Sequence, residues 1–230
     1  MKIKVNGFGS IFLSTLIMSG MILGCSDSNG DEIDALIENS GNSTDDQVED
    51  SSSEPADDAS SLSVEDQDAL LFMLEEEKLA RDTYKFLNEQ WRLVQFENIM
   101  QSEQFHMDAV EALLKAYGIG YEILENGKFN NEDLQALYNK FVLDGVVDKT
   151  AALTIGATIE DLDIVDLEEN IQATSNNDIA NVFASLQCGS RNHLRSFTQS
   201  LENIGSSYEP QFLTVEEYQS ILDGSHEQCN

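Results

Sequence analysis

Apolar residues recur at alternating steps of three and four in four long segments of the chain. This spacing is typical of helices that bury one face in a bundle. The segments begin after Ser63, near Phe96, near Leu153 and near Asn177. Helices of about twenty residues would be about 30 Å long, which is enough to bury a substantial core. The pattern therefore predicts an all-α fold, built as an antiparallel four-helix bundle.

Local signals mark where these helices begin and end. Ser63 with Asp66 three positions later is a capping signal, and Gly118 is a C-terminal signal. Shorter amphipathic patterns at 131–144 and 214–223 predict two additional short helices. The two prolines of the chain lie outside all these segments, so neither interrupts a predicted helix.

Each of the four long segments carries polar residues on its buried line, where a bundle helix normally has Leu or Val. The second segment has Glu103 and His106 one turn apart. The other candidates are Glu77 in the first segment, Glu160 and Asp163 in the third, and Ser190 and His193 in the fourth. Glu75 and Glu76 fall off the line and are expected to face solvent. Burying such polar groups without partners would cost several kcal/mol, about 2–7 for each neutral group and more for a charge.

The overall charge narrows the classes of partner. The formal net charge is −31, and residues 26–68 alone contribute fifteen acids and no lysine or arginine. Outside that stretch and the two N-terminal lysines, 28 acidic residues still face 10 basic ones. No basic stripe is available to neutralise phosphates, so we expect no nucleic acid partner. Cations are the favoured ligands.

The N-terminal residues predict export. Lys2 and Lys4 precede an apolar stretch, 5–24, that closes with Ile-Leu-Gly-Cys at Cys25. This arrangement resembles a bacterial lipoprotein signal, with 1–24 removed and Cys25 lipidated. We therefore expect a protein anchored by lipid to the outer or plasma membrane, on the extracytoplasmic side of the bacterial cell envelope. The alternative is an ordinary signal peptide or membrane anchor with a chance cysteine.

The remaining domain boundaries follow from composition. Residues 25–61 are rich in Ser, Asn, Gly and Asp, with few large apolar residues, and predict a disordered acidic tether. Residues 62–230 form the predicted helical domain with a C-terminal tail.

Together, the polar residues of the buried lines form a ligand set for two metal ions. Glu77, Glu103, Glu160 and Asp163 would supply carboxylates, and His106 and His193 would supply imidazoles. Hard oxygen donors with a few imidazoles favour iron, with manganese or zinc as alternatives. Two readings without metal remain open. Glu103 with His106 would then be a hydrogen-bonded core pair, and His193 a core or capping residue.

Two other candidates have structural alternatives. Cys188 and Cys229 form an even pair in an exported protein once Cys25 is lipidated, which predicts a disulfide. The alternative is that Cys188 faces the buried line as a soft metal ligand. Tyr84, two turns beyond Glu77, is either an ordinary core residue or a group that hydrogen-bonds a ligand or passes an electron.

Four motifs carry a family resemblance: EEEKLARDTY, QSEQFHMDAVEALL, IEDLDIVDL and GSRNHLRSF. In this order and spacing, over about 62–204, the chain resembles the ferritin-like family catalogued as domain of unknown function 2202. The resemblance implies a ferritin-like bundle and, through wider similarity to rubrerythrins and ferritins, a dinuclear metal site. The wider pattern has a glutamate where this chain has Ser190. Our hypothesis is that Asp163 supplies the missing carboxylate.

Three functions are compatible with these observations. The first is a di-iron oxidoreductase of ferroxidase or peroxidase type, which reacts with oxygen or peroxide or oxidises ferrous iron. The second is a metal-binding or storage module without turnover, and the third is a metal-free envelope scaffold. Without a rubredoxin-like or flavin-binding motif in the chain, electrons would come from a donor protein or from ferrous iron itself. A homodimer is compatible with the sequence.

Overall fold

The computed structural model describes residues 62–229, and this part of the chain is helical without strands. It contains six α-helices: α1 (Val64–Trp91), α2 (Val94–Ala116), α3 (Glu132–Asp144), α4 (Lys149–Ala173), α5 (Asn177–Asn203) and α6 (Val215–Asp223). The predicted all-α bundle with short additional helices is confirmed.

Side-chain caps determine where most of these helices begin. Ser63 Oγ accepts a hydrogen bond from the backbone N–H of Asp66, as the sequence predicted. Asn131 and Asn176 cap α3 and α5 through their side-chain oxygens. At α6, Thr214 forms a reciprocal capping box with Glu217. Each cap satisfies backbone donors that the first helical turn leaves without partners.

Neighbouring long helices run antiparallel. α1 packs along α2, α4 packs along α5, and further contacts join α1 to α4 and α2 to α5. The connection between α1 and α2 is two residues long, whereas the segment containing α3 returns the chain to the other end of the bundle before α4 begins. One long crossover between two helical hairpins is the connectivity of ferritin-like bundles.

The apolar core is divided into two clusters along the bundle. One cluster contains an aromatic group at Tyr84, Phe96 and Phe197, with ring centroids 5.3–5.7 Å apart. The other includes Met73, Met107 and residues towards the opposite end of the bundle. Along all four long helices, the sequence-predicted polar residues fall between the two clusters. The site therefore lies at mid-length, enclosed by apolar layers on both sides.

The C-terminal tail is attached to the outside of α5. A disulfide joins Cys188 to Cys229, with a Cα–Cα distance of 5.6 Å. Arg191 and Arg195 both bind the carboxylate of Glu227, at 2.5 and 2.7 Å. Cys188 is thus engaged with the tail in this structure and is not a thiol ligand.

The predicted signal segment 1–24, the lipidation site Cys25 and the tether 25–61 lie outside the described residues. Within 62–229, no helix combines the length and the apolar character needed to cross a membrane.

Candidate metal centre

The polar residues between the two apolar clusters form a polar layer, which consists of Glu77, Glu103, His106, Glu160, Asp163, Ser190 and His193. Glu103 is the carboxylate at the middle of this layer. Its Oε2 lies 2.8 Å from His106 Nδ1 on the same helix, and its Oε1 lies 2.9 Å from His193 Nδ1 on α5. The side chain is 2 % exposed. A one-turn spacing on α2 places Glu103 and His106 on one face, and the antiparallel packing of α5 against α2 brings His193 to the other carboxylate oxygen.

Two further glutamates complete two groups around Glu103. Glu77 Oε2 from α1 lies 3.1 Å from His106 Nδ1, and Glu160 Oε2 from α4 lies 3.4 Å from His193 Nδ1. Each group holds two carboxylates and one imidazole, with one ligand atom from each residue within 4.8 Å of the others. Glu103 belongs to both groups. Both groups consist of donors of the kind that hold metal ions in the cores of helical bundles.

Several buried atoms of the cluster have no hydrogen-bond partner among the described residues. They are Glu77 Oε1, Glu103 Oε1, His193 Nδ1 and Asp163 Oδ1. Glu103 Oε1 and His193 Nδ1 are close enough for an ion pair but lack hydrogen-bond geometry. Buried polar atoms are nearly always satisfied, so atoms left without partners around one point are suited to a ligand. The residues present therefore fit bound metal ions.

Neighbouring side chains orient the ligands. His193 Nε2 lies 3.0 Å from Ser102 Oγ, which would hold the ring with Nδ1 towards the carboxylates. Tyr84 donates a 2.5 Å hydrogen bond to Glu160 Oε1. Tyr84 is fully buried in the aromatic group, as expected of a core residue, and it also contacts the candidate ligand Glu160. Its role in electron transfer stays a prediction. Sequence reasoning missed Ser102, since a serine one residue before Glu103 carries no distinctive signal.

The backbone of α5 at Gly189 comes close to His106. A Cβ added to Gly189 would lie 2.6 Å from His106 Nε2, closer than real Cβ contacts allow. Ring stacking also fixes the pair of imidazoles, whose centroids are 5.6 Å apart. The missing side chain at Gly189 thus makes room for His106 to present Nδ1 to Glu77 and Glu103.

Asp163 lies beside the two groups rather than within either. Its Oδ2 accepts a 2.5 Å hydrogen bond from Ser190 Oγ, so the residue that replaces the expected glutamate holds the aspartate that was predicted to substitute for it. Burial, followed by the charges of Glu77 and Glu160, raises the pKa of Asp163 well above its usual value. Asp163 therefore lies near Glu77 of one group and Glu160 of the other.

The electrostatics of the cluster favour positive charge. Burial raises the pKa of Glu77 to about 7 and that of Glu160 to about 6. Burial disfavours the charged form of His193, but Glu103 and Glu160 outweigh it and raise the pKa of His193 to about 10. Burial likewise opposes ionisation of Glu103, yet the facing His193 and His106 hold its pKa far below the usual range. Without metal, the positive charge of the protonated histidines compensates the facing carboxylates. A bound cation would replace that charge.

The expectation that Glu75 and Glu76 face solvent was wrong for Glu76, whereas Glu75 is partly exposed. Glu76 is 2 % exposed, and both of its carboxylate oxygens lack hydrogen-bond partners among the described residues. Glu75 is half-buried and accepts hydrogen bonds from the backbone N–H groups of Asn130 and Asn131. α1 packs against α2, α3 and α4, so the face that it buries is wider than one line of residues.

A second residue that sequence reasoning missed is Asp166 on α4. The signal that could have indicated it is the acidic repeat at 160, 163 and 166.

Fold and site together define a helical-bundle protein whose core holds carboxylate and histidine groups able to bind metal ions. The chain belongs to the family described as uncharacterized protein domain DUF2202, whose model matches residues 66–225. This confirms the resemblance drawn from the four motifs.

The similarity extends to an archaeal relative. The chain is 48 % identical over 168 residues to uncharacterized protein MJ0754 of Methanocaldococcus jannaschii, covering 72 % of this chain and 91 % of the relative. The crystal structure of hypothetical protein MJ0754 from Methanococcus jannaschii matches with a TM-score of 0.71, over 72 % of this chain and 96 % of that one. Neither description names a ligand or a reaction.

Proposed function

We propose that this protein is a cell-envelope lipoprotein that holds two metal ions, iron in the first instance, in the core of its bundle. The observation that carries the proposal is the position of Glu103, which directs one buried oxygen to each histidine. Glu77 and His106 would complete one position, and Glu160 and His193 the other. Manganese or zinc would also suit these donors.

Metal binding accounts for the cost of the polar layer better than a hydrogen-bonded core. Buried carboxylates repel one another unless cations or protons compensate them. In the metal-free scaffold alternative, protons on the histidines and on some of the carboxyl groups provide that compensation. Glu77 Oε1 and Asp163 Oδ1 still have no hydrogen-bond partner among the described residues. Two divalent ions would neutralise the carboxylates and engage these atoms as well.

The reaction that we propose is oxidation of ferrous iron or reduction of oxygen or peroxide, as in a di-iron oxidoreductase of ferroxidase or peroxidase type. Bound iron supplies the one-electron chemistry, while the protein positions the ions and encloses the site between two apolar clusters. Glu160 is held by Tyr84, and His193 is oriented by Ser102. Electrons would come from a donor protein or from ferrous iron.

Storage of metal ions without turnover is the second candidate function. The acidic composition of the whole chain favours it.

Metal analysis of purified variants tests binding. Glu103→Ala and His106→Ala are expected to lose most of the bound metal, because Glu103 serves both groups and His106 is an imidazole donor of one. His226→Ala is the matched control, since this exposed histidine lies in the tail. Unchanged metal content in Glu103→Ala and His106→Ala would refute the site. Stoichiometric consumption of peroxide or oxygen by iron-loaded protein would then distinguish the oxidoreductase from the storage module.

Localisation is proposed from the sequence alone. Lipidation at Cys25 would anchor the protein on the extracytoplasmic side of the envelope, in the outer or plasma membrane. Metabolic labelling with a fatty-acid analogue is expected to mark the wild-type chain and not Cys25→Ala. Equal labelling of both would contradict the lipid anchor, and size-exclusion chromatography of the same samples would test for a homodimer.

A further inference from the structure

A second group of acidic side chains extends from the candidate centre towards the surface. Glu76 on α1 and Asp166 on α4 lie between two contacts that join these antiparallel helices, Met73 with Asn170 on one side and Tyr84 with Glu160 on the other. Burial raises the pKa of Glu76, and the charges of Asp166 and Asp163 raise it further. Asp166 is half-buried, and the exposed Glu169 follows one turn later on α4. The acids thus form a continuous series between solvent and the polar layer.

Four oxygens of this group are buried without hydrogen bonds among the described residues. Both oxygens of Glu76, Oδ2 of Asp166 and Oδ1 of Asp163 are in this state. The nearby cations on α1, Lys78 and Arg81, are directed at Asp82 instead. One proton shared between Glu76 and Asp166 would satisfy a single oxygen of each. The second Glu76 oxygen and Asp163 Oδ1 would still lack partners.

We propose that Glu76 and Asp166, with Asp163 behind them, form an additional binding position for a hydrated divalent cation. The donors are all carboxylate oxygens, without an imidazole or a thiolate, and this set selects hard cations such as Mn²⁺, Fe²⁺ or Mg²⁺. One or two carboxylates are enough for such an ion, because it keeps part of its water shell. Asp166 at the boundary of the core gives the ion access from solvent.

Glu76 and Asp166 distinguish this position from the two groups around Glu103, whereas Asp163 lies beside both. Neither of those groups includes Glu76 or Asp166. A role for the position in supplying ions to the centre rests on the proposed function, whereas cation binding at Glu76 and Asp166 does not.

Equilibrium dialysis of the full chain against Mn²⁺, followed by elemental analysis, tests the position. Glu76→Gln and Asp166→Asn remove a charge without changing side-chain size, and each is expected to bind one ion fewer per chain than wild type. Glu89→Gln is the matched control, the same change at an exposed residue of α1. The acids of 26–61 are common to all variants, so their weak binding cancels in the comparison.

The outcomes separate this site from the proposed function. Metal content of Glu76→Gln and Asp166→Asn equal to that of Glu89→Gln overturns the additional position, even if His106→Ala loses metal. Loss of every bound ion in Glu76→Gln and Asp166→Asn also overturns it, because the acids would then belong to the centre. Loss of one ion in these two variants, with no loss in His106→Ala, supports the position and refutes the proposed centre.

Discussion

Ser190 and Asp163 form a pair in the middle of the bundle. Asp163 Oδ2 on α4 accepts a 2.5 Å hydrogen bond from Ser190 Oγ on α5. Burial and the charges of Glu77 and Glu160 raise the pKa of Asp163. The hypothesis that Asp163 supplies the carboxylate absent at 190 is therefore a prediction about metal affinity.

If Asp163 binds metal, Asp163→Asn should reduce metal affinity more than Ser190→Ala does. The first change removes the charge and keeps a similar shape. The second keeps the charge and removes one donor, at a cost of about 1–3 kcal/mol in folding stability from the orphaned oxygen. Calorimetric titration with Mn²⁺ gives the affinities, and chemical unfolding gives the stabilities. Equal affinity of wild type and Asp163→Asn would show that Asp163 is not a ligand.

Gly189 sets the position of the His106 ring, because the absence of a side chain at 189 leaves space for the imidazole. Gly189→Ala would place a Cβ 2.6 Å from His106 Nε2 and displace the imidazole. We expect metal affinity to fall about tenfold or more, as for other changes that misorient a metal-binding histidine.

The matched control for Gly189→Ala is Gly156→Ala. There the Cβ would meet the ring of Phe197 at 2.5 Å, inside the aromatic cluster. Overpacking should destabilise this variant by about 1–3 kcal/mol without changing its metal content. Equal metal affinity in wild type and Gly189→Ala would contradict the positioning role of Gly189.

Much of the helical organisation could be predicted from sequence, because its signals are local. Ser63 caps α1 by bonding a backbone group three residues away, and α5 begins at Asn177 after the cap at Asn176. Five of the six predicted ligand residues meet in the two carboxylate and histidine groups, because each lies on a line of apolar residues that already faced the core.

The missed residues depend on non-local packing. Glu76 is buried because α1 is surrounded by three helices, which a single helical wheel does not reveal. Lys78 is nearly fully buried for the same reason, with its ammonium bound to Asp82 and to backbone carbonyls of the connection before α3. Which side of a charged helix is enclosed is decided by its partners, so burial of Glu76 required the tertiary structure.

The C-terminal tail depends on its attachment to α5. The disulfide between Cys188 and Cys229 spans 41 positions, and a loop of that length lowers unfolded-chain entropy by an amount worth about 4 kcal/mol in the chain-entropy model. We expect Cys229→Ser to lower the free energy of unfolding by about 2–4 kcal/mol in urea titrations. Glu227→Gln, which weakens only the ion pairs with Arg191 and Arg195, should cost much less.

Metal content should survive the loss of the disulfide. Cys188 lies one residue before Gly189, but the helical backbone of α5 continues through both and is packed against α4. A Cys229→Ser variant that kept wild-type stability would show that the disulfide does not stabilise the fold. One that lost its metal would show that the tail holds the centre in place.

For the whole molecule, the charge of the polar layer makes stability depend on pH. We expect stability to fall as pH rises when no metal is bound, and to rise with pH near neutrality when metal is bound. Without metal, the pKa of His193 is raised to about 10, above its usual value near 6.5. The folded state then binds more protons than the unfolded state between those two pH values. Stability is fully present below about pH 6.5 and is lost as pH rises through about 10.

Other titrating groups either add to this loss of stability with rising pH or change the stability only outside the range from pH 6.5 to 10. The pKa of Glu77, raised to about 7 by burial, adds a loss of stability as pH rises towards 7. Carboxylates with lowered pKa values, such as Glu103 and Glu227, lose their contribution only in acid, below their ordinary range. We therefore expect the melting temperature of chelator-treated protein to fall from pH 6.5 to pH 9.5.

Metal loading should reverse that slope near neutral pH. Binding requires neutral imidazoles and ionised carboxylates, so raising the pH releases the protons that compete with the ions and strengthens the complex. At a free-ion concentration about 100 times the dissociation constant, binding adds about 2.7 kcal/mol of stability. Thermal melts with and without Mn²⁺ should diverge as pH rises from 6 to 8, and His106→Ala should remove most of the divergence. If the melting temperatures of the two wild-type samples changed with pH in parallel, the bundle would not bind Mn²⁺ in its core.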